Sequence, residues 1–486
     1  LPQSPAEIDP SHPGEKTASR PRLPILIPLV VATAFFMEQL DSTIITTAVP
    51  VMARTLAVTP VQMSLAVAAY VLAVAVFIPV SGWFADKFGT RLVFASALAV
   101  FTLGSVLCGL AQSFDMLVAM RVVQGLGGAM MTPVGRLILL RSFPRSELMT
   151  AMTYVTLPAI LGPVIGPLAG GVLTTYLSWR WIFYVNLPFG VIGMLLAIRF
   201  VENVREARVP KFDVPGFLMI GAGLALLQFG MENVSRPVVS ITTIVVTLIA
   251  AVTLLLSFGF YARRAAAPAV DLNLFRMRSF RVGTLAGGVC RVGMNGMPFL
   301  LPLMLQVGFG LSPIGSGSLT FIGSGAAILV RMLIAPTLRR HGFRVVLVSS
   351  AIVASMILAG FAWIGPQTPH WVILLCVFAF GLTRATQFMT SNTLAYSDMP
   401  DSHLSRATSL GGALQQLSVS FGVSIGAVLL SVVGFHIHGL TPQRFQEAFL
   451  LSALLPLLGI PGFMALSAQD GIRVTSLPLA EAKEQA

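Results

Sequence analysis

Apolar residues run through this chain in blocks long enough to cross a bilayer, which takes about 20 residues of helix. The blocks fall at 24–48, 63–83, 92–112, 116–140, 148–176, 180–200, 215–231 and 239–261, and then at 280–304, 315–338, 345–365, 370–395, 407–435 and 445–467. They predict fourteen membrane-spanning helices. The seventh is the shortest and ends at Glu232. Polar residues interrupt the pattern in a few places, most visibly at "FFMEQLDSTIITTAVP" (35–50), where Glu38 and Asp41 sit inside the first span. Their spacing of three places both carboxylates on nearly the same helix face.

Composition agrees with the pattern. Of 486 residues, 55% are hydrophobic and only 10% charged, against roughly a quarter charged in soluble domains. The chain reads as an integral membrane protein. A net charge of +12 would suggest nucleic acid in a soluble protein, so the placement of the basic residues decides. With the N-terminus on the cytoplasmic side, 22 Lys and Arg outside the spans or at their ends fall on that side. Only Arg54, Arg180, Arg236 and Arg444 fall on the other. That bias is the orientation signal of a membrane protein. It predicts cytoplasmic N- and C-termini and leaves no charge to be explained by nucleic acid. Residues 1–22 lack an apolar core and read as a tail, not a signal peptide. Cys108, Cys290 and Cys376 all lie in apolar runs and read as packing residues.

A repeat follows from comparing the halves. "GWFADKFGTRLVF" (82–94) after the second span aligns with "APTLRRHGFRVVL" (335–347) after the tenth, so that Gly89 meets Gly342 and Arg91 meets Arg344. The second copy carries Arg339 where the first has Asp86. Spans 1–6 then correspond to spans 9–14, with spans 7 and 8 inserted between them. Two six-helix bundles related in this way describe a rocking transporter with a central cavity. The expected organisation is a cytoplasmic tail at 1–23, an N-terminal bundle at 24–202 and a linker with two inserted helices at 203–279. A C-terminal bundle at 280–468 and a second tail at 469–486 complete it.

Several ordered motifs then carry a resemblance. "GWFADKFGTR" resembles the loop 2–3 signature of the major facilitator superfamily, and "LDSTIITTAVP" (40–50) resembles the first-helix signature of its 14-helix drug:proton antiporter branch. "RVVQGLGGAMMTP" (121–133) is similar to the helix 4 signature. "GPVIGPLAGG" (162–171), followed by "WRWIFYVNLP" (179–188), is similar to the helix 5 antiporter signature and its continuation. "FDVPGF" (212–217) fits the same branch. The resemblance implies an all-helical major facilitator fold and proton-coupled export of small organic molecules by alternating access.

Each motif also has physical content. Gly82 and Gly89 allow close helix contact and a tight turn, Asp86 can cap a helix or pair with an arginine, and Arg91 supplies a matching cation. Such contacts would form a gating latch. Gly162, Gly166 and Gly170 recur every four residues and form a groove for a neighbouring backbone, while Pro163 and Pro167 bend the helix. The antiporter resemblance adds that this bend seals one side of the membrane during exchange. Trp179 and Trp181 are expected at an interfacial belt.

Intramembrane ionisable residues are costly and default to function. Here they are Glu38, Asp41, Arg121, Arg136, Arg291, Arg331 and Arg384. At about 1.5 Å per residue, Asp41 and Arg121 lie at similar depths, roughly 10 and 8 Å below the outer end of their helices. They are expected to interact directly or through a polar relay. Arg136 and Arg331 lie nearer the cytoplasmic ends, where long side chains can snorkel. Arg291 lies at the depth of Glu38, in the other bundle. Asp41 matches the family motif and is the first candidate for the proton site, with Glu38 second and Arg121 as partner. Glu38, Asp41, Gln124, Arg291, Asn295, Arg384 and Gln387 are the candidate substrate contacts.

The family resemblance points to amphipathic, often cationic, drugs. The central arginines favour the alternative of organic anions such as citrate-like carboxylates or their metal complexes, because Arg291 and Arg384 could bind carboxylates bidentately. No histidine cluster, catalytic constellation or nucleotide-binding G-x-x-x-x-G-K-S/T loop occurs, so neither an enzyme nor direct ATP drive is expected. The expected partners are a small-molecule substrate, protons and the lipid of a bacterial cytoplasmic (inner) membrane, with no metal or cofactor. One chain holds a complete cavity, which makes a monomer the expectation. Asp41→Asn is expected to abolish proton-driven transport while leaving the fold intact.

Overall fold

The computed structural model describes residues 25–143, 145–206, 209, 211–234, 239–265, 268–433, 440–467 and 470. The tail expected at 1–23, nearly all of that at 469–486, and Arg208, Arg236, His436 and His438 lie outside the described residues. In hydrocarbon a chain satisfies its backbone N–H and C=O groups only against itself, so long apolar blocks become helices. Among the described residues, thirteen continuous helices are long and apolar enough to cross a membrane. The first nine are α1 (Leu26–Thr47), α2 (Ser64–Phe88), α3 (Thr90–Gly109), α4 (Phe114–Ser142), α5 (Thr150–Tyr176), α6 (Trp181–Phe200), α7 (Val214–Asn233), α8 (Ile241–Ala262) and α9 (Arg278–Gly308). The tenth, Pro313–Trp363, breaks at Gly342 into α10 (313–341) and α11 (343–363). α12 (His370–Ser397), α13 (Arg406–Val432) and α14 (Pro442–Met464) follow. With that break counted, the spans number the fourteen predicted.

The break makes the internal repeat visible in the backbone. Gly342 has φ 73° and Gly89, its partner in the repeat, has φ 99°, a region that favours glycine. Gly89 joins α2 to α3 as Gly342 joins α10 to α11. Helix starts at the polar rim are capped by side chains: Ser113 Oγ accepts from Met116 N at 3.2 Å, Ser240 Oγ from Thr243 N at 3.1 Å and Ser312 Oγ from Gly315 N at 3.2 Å. Asp213, at the start of "DVPGF", caps α7 through Gly216 N. It also accepts from the Tyr261 hydroxyl at 2.6 Å and Ala269 N at 2.8 Å, tying the α7–α8 hairpin to the linker behind it. Burial alone would raise the Asp213 carboxyl, but these hydrogen bonds outweigh it and hold it below the ordinary range.

Helices α1–α6 pack on one another, as do α9–α14, and the two sets meet along α5 against α10 and α2 against α13. The hydrogen bonds joining them cluster at the end remote from the chain termini, called here the far end. Gln306 Nε2 donates to Thr47 O at 2.9 Å, Ile314 N to Thr175 Oγ1 at 3.2 Å, and Ser420 Oγ to Ala68 O at 3.3 Å. One hydrophobic core there spans both sets, from Ile44 and Val49 of the first to Met294, Leu305 and Phe449 of the second. The far end is closed.

The loop after α2 is built differently from expectation. Asp86 pairs with Arg141 at the end of α4, 3.0 Å away, and not with Arg91. Arg141 also holds Glu206 at 2.7 Å, and Glu206 N donates to Asp86 O at 3.0 Å. Arg91 is exposed and has no carboxylate partner among the described residues. Its position at the start of α3 turns it away from Asp86, while the end of α4 comes alongside. Asp86 makes no helix cap. Gly82 is also corrected: a side chain there would meet nothing within 4 Å. Gly89 keeps its predicted role, because its φ is positive and the Asn203 side chain fills the space a Cβ would need. Trp179, expected at the interface, is buried instead, edge-on to Phe183 at 6.2 Å, while Trp181 is half exposed.

Gly89→Val should therefore lower the melting temperature of the detergent-solubilised protein by several degrees, from a strain of about 1–2 kcal/mol plus the clash with Asn203. Gly82→Ala should leave it within about one degree, since it adds no contact.

Candidate functional site: a buried ion pair beside the seam

Asp41 faces α2, α4 and α6 and is 1% exposed; Arg121, on α4, is fully buried. Arg121 Nη1 donates to Asp41 Oδ2 at 2.6 Å and to Gln124 Oε1 at 2.8 Å, and Arg121 Nε donates to Ala66 O of α2 at 3.2 Å. Gln124 Nε2 donates to Asp41 Oδ1 at 2.7 Å, and Asn186 Nδ2 approaches the same oxygen at 3.3 Å. The guanidinium lies over the Tyr70 ring, 4.3 Å from its centroid. Ser105 receives a hydrogen bond from Asn186 at 3.1 Å and donates to Phe183 O at 2.9 Å, which fixes the amide. The predicted pair is present, and direct.

The packing around it depends on small residues. A Cβ on Gly104 would lie 2.8 Å from the Gln124 backbone, and one on Gly125 would lie 2.6 Å from Tyr70 O. These glycines let α3 and α2 close on α4 tightly enough for the network to form. The carboxylate accepts three hydrogen bonds, two on Oδ1 and one on Oδ2, which leaves a lone pair on Oδ2 for a proton.

Gly162, Gly166 and Gly170 do form a groove, and α1 fills it: Gly162 lies against Leu40 N, Gly166 against Thr43, and Gly170 against Ile44 O and Thr47. These α1 residues flank Asp41. The adjacent face of α5 meets the other half, with Pro167 O against Gly317 and Gly171 against Pro313 of α10. α5, with Pro163 and Pro167 in it, thus lies between the Asp41 helix and the seam.

Glu38, one turn from Asp41 toward the near end, accepts a short hydrogen bond from Thr132 Oγ1. Arg136 and Asp41 are the charged groups that act on it. Arg136, placed among the snorkelling residues by sequence, therefore belongs to the surroundings of Glu38, and Arg291 makes no contact with Glu38. Arg331 is exposed, as expected. In the other half, Arg291 is 4% exposed and donates to Asn392 Oδ1 at 3.4 Å, and Arg384 donates to Asn295 Oδ1 at 3.2 Å. Arg291 also lies over the Phe388 ring at 5.9 Å. Neither arginine has a carboxylate partner among the described residues.

Three of the candidate substrate contacts, Asp41 among them, are enclosed. Gln124 belongs to the enclosed Asp41 network, and Gln387 is fully buried with its Oε1 accepting from Ser350 at 2.5 Å. Asn186, Ser105 and Tyr70 were not anticipated. Asn186 sits in "FYVNLP" (183–188), inside the sixth predicted span and the stretch that resembles the antiporter signature's continuation, and a polar amide within a span was the signal for it.

The burial of the pair also changes the expectation for Asp41→Asn. Leaving one member of a buried ion pair without its counter-charge costs about 3–5 kcal/mol. Asp41→Asn and Arg121→Gln should each lower the melting temperature, and the double variant should cost less than the sum of the two, measured by thermal unfolding in detergent.

The Major Facilitator Superfamily profile matches residues 31–423. A protein of Serratia proteamaculans (strain 568) named multidrug resistance protein MdtD is 37% identical over 423 residues, covering 87% of this chain and 88% of that one. A protein of the same name from Pectobacterium carotovorum subsp. carotovorum (strain PC1) is 40% identical over 407 residues, covering 83% and 86%. Among solved structures, a D-xylose–proton symporter superposes with TM-score 0.63 at 15% identity, covering 91% of this chain and 99% of that one. The human organic anion transporter MFSD10 gives 0.61 at 15% identity, covering 90% and 99%; at such identities the likeness concerns the fold. With fourteen apolar spans, a backbone repeat and this match over most of its length, the chain is a multi-pass membrane protein that belongs to the Major Facilitator Superfamily.

Proposed function

We propose that the chain is a proton-coupled antiporter that exports small organic molecules by alternating access, working as a monomer in a bacterial cytoplasmic membrane with both termini in the cytoplasm. The observation that carries this reading is the buried Asp41–Arg121–Gln124–Asn186 network, one helix away from the seam between the halves. Relatives named multidrug resistance proteins support efflux as the direction and drugs as the substrates.

The geometry supplies a coupling route. With Asp41 charged, α1 is held to α2 and α4 through Arg121. A proton on Asp41 removes the charge that Arg121 answers and loosens that hold. α1 rests in the glycine groove of α5, whose adjacent face is the seam with α10. A shift of α1 is thereby passed to the contact that opens and closes. In this conformation the far end is sealed, which in the proposed orientation leaves the substrate space facing the cytoplasm. Glu38, beside Thr132 and Arg136, is the second acid of this route.

A second reading rests on Arg291 and Arg384. Two guanidiniums that, among the described residues, bond to asparagine amides and pair with no carboxylate suit a carboxylate ligand, bound bidentately, and favour organic-anion export by the same cycle.

The test is purified protein in liposomes with an imposed proton gradient, comparing a lipophilic cation with citrate. Gradient-driven movement of the cation supports drug efflux, movement of citrate supports the second reading, and uncoupled, channel-like flux overturns both. Asp41→Asn should abolish gradient-driven movement of whichever substrate moves. Arg384→Ala should weaken citrate transport at least tenfold under the second reading and leave the cation nearly untouched under the first.

A further inference from the structure

The inserted hairpin α7–α8 presents itself as peripheral. Most of α7 is apolar and much of its surface faces outward, with Leu218 at 60% and Phe229 at 47% exposure. Two residues break this pattern. Gln228 and Glu232, four apart and so on one helix face, are 2% and 6% exposed. They point into the meeting line of α2 and α13, where the two halves touch.

The bonds there are divided between the halves. Glu232 Oε2 accepts from Ser64 Oγ of α2 at 2.6 Å, and Glu232 Oε1 accepts from Ser424 Oγ of α13 at 2.5 Å. Gln228 Nε2 donates to Ser424 Oγ in a short hydrogen bond and to Glu232 Oε1 at 3.2 Å, while Gln228 Oε1 accepts from Ser420 Oγ at 3.2 Å. Ser64, Ser420 and Ser424 are all fully buried. One carboxylate therefore uses its two oxygens to hold one helix from each half, at the closed end.

We propose that Glu232, carried by the inserted hairpin, is a gating residue that latches the far end shut, with Gln228 as its positioning partner. The proposal rests on the alternating-access reading. Any opening of the far end that parts α2 from α13 must take at least one of the two serine bonds from Glu232. Charge-assisted hydrogen bonds of this kind are strong where water is excluded.

The latch is also joined to the Asp41 network. The α2 segment 64–70 carries Ser64, which bonds Glu232, and Ala66 O, which accepts from Arg121 Nε. It also carries Ala68 O, which accepts from Ser420, and Tyr70, which lies under the Arg121 guanidinium. Fewer than two helical turns of α2 thus hold the coupling pair on one side and the latch on the other. Movement of α2 relative to Arg121 and release of Glu232 are the same movement.

The test is a distance measurement by pulsed electron resonance on full-length protein in lipid nanodiscs. Spin labels are placed through Leu110→Cys just after α3 and Trp363→Cys at the end of α11, both exposed near the far end, with the three native cysteines replaced by alanine. Relative to the unsubstituted latch, Glu232→Ala should raise the ratio of far-end-open to far-end-closed molecules about tenfold, the loss of one charge-assisted hydrogen bond. Ser64→Ala and Ser424→Ala, milder changes that carry the test should Glu232→Ala not fold, should each shift the ratio the same way. Distance distributions unchanged in Ser64→Ala and Ser424→Ala overturn the latch while leaving alternating access standing. A single distance in the unsubstituted protein at every pH and substrate condition overturns alternating access itself, and the latch with it.

Discussion

The arrangement of the N-terminal half depends on one interaction, the ion pair between Asp41 and Arg121 inside the membrane. Two charges in that setting are tolerated only when each answers the other and most of the remaining donors find acceptors; here Arg121 Nε and Nη1 do, while Nη2 has no hydrogen-bond partner among the described residues. That requirement explains residues that otherwise look incidental. Gln124 bridges the two members of the pair, Asn186 and Ser105 steady the carboxylate from α6 and α3, and Ala66 lends its carbonyl from α2. Glycines at 104 and 125 bring the helices close enough for these bonds to exist. α2 is thus bound to α4, α6 to α1, and α3 to α6 by polar contacts around one ion pair.

The pair acts through its neighbours. α1 lies between the ion pair and the glycine face of α5, and α5 lies between α1 and the seam with α10. Close backbone packing makes this a stiff connection, because helices in contact at glycine cannot slip without separating. On the other side, α2 connects the pair to the hydrogen bonds around Glu232. The two lines where the halves meet, α5 with α10 and α2 with α13, are therefore both in mechanical contact with the same charge. The α7–α8 hairpin takes part in the second of these lines through Gln228 and Glu232.

Much of this was legible in the sequence, and the parts that were not share a cause. Span count, the repeat and the Asp41–Arg121 pair follow from hydropathy, from the glycines at 89 and 342, and from depth along a helix of known rise. Depth is a one-dimensional property, and a sequence carries it. Azimuth is harder. Gln387 was expected at the substrate space and instead faces Ser350, because one residue of helix turns a side chain by a large angle. Arg91 was expected to answer Asp86, but Arg141, distant in sequence, comes alongside through the packing of α4. Glu232 was read as the end of a short span, because a carboxylate at a helix terminus is ordinarily solvated. Only the approach of α2 and α13 from two distant parts of the chain encloses it.

The central claim is that Asp41 gains and loses a proton during the cycle, and that the proton loosens its hold on Arg121. Infrared difference spectroscopy on the purified protein, with and without substrate and across pH, reads that event directly as the appearance of a protonated-carboxyl band. The account predicts such a band in the native protein and its loss in Asp41→Asn, while Glu232→Gln retains it. A difference spectrum unchanged by Asp41→Asn would contradict it, and would place the transported proton on another group.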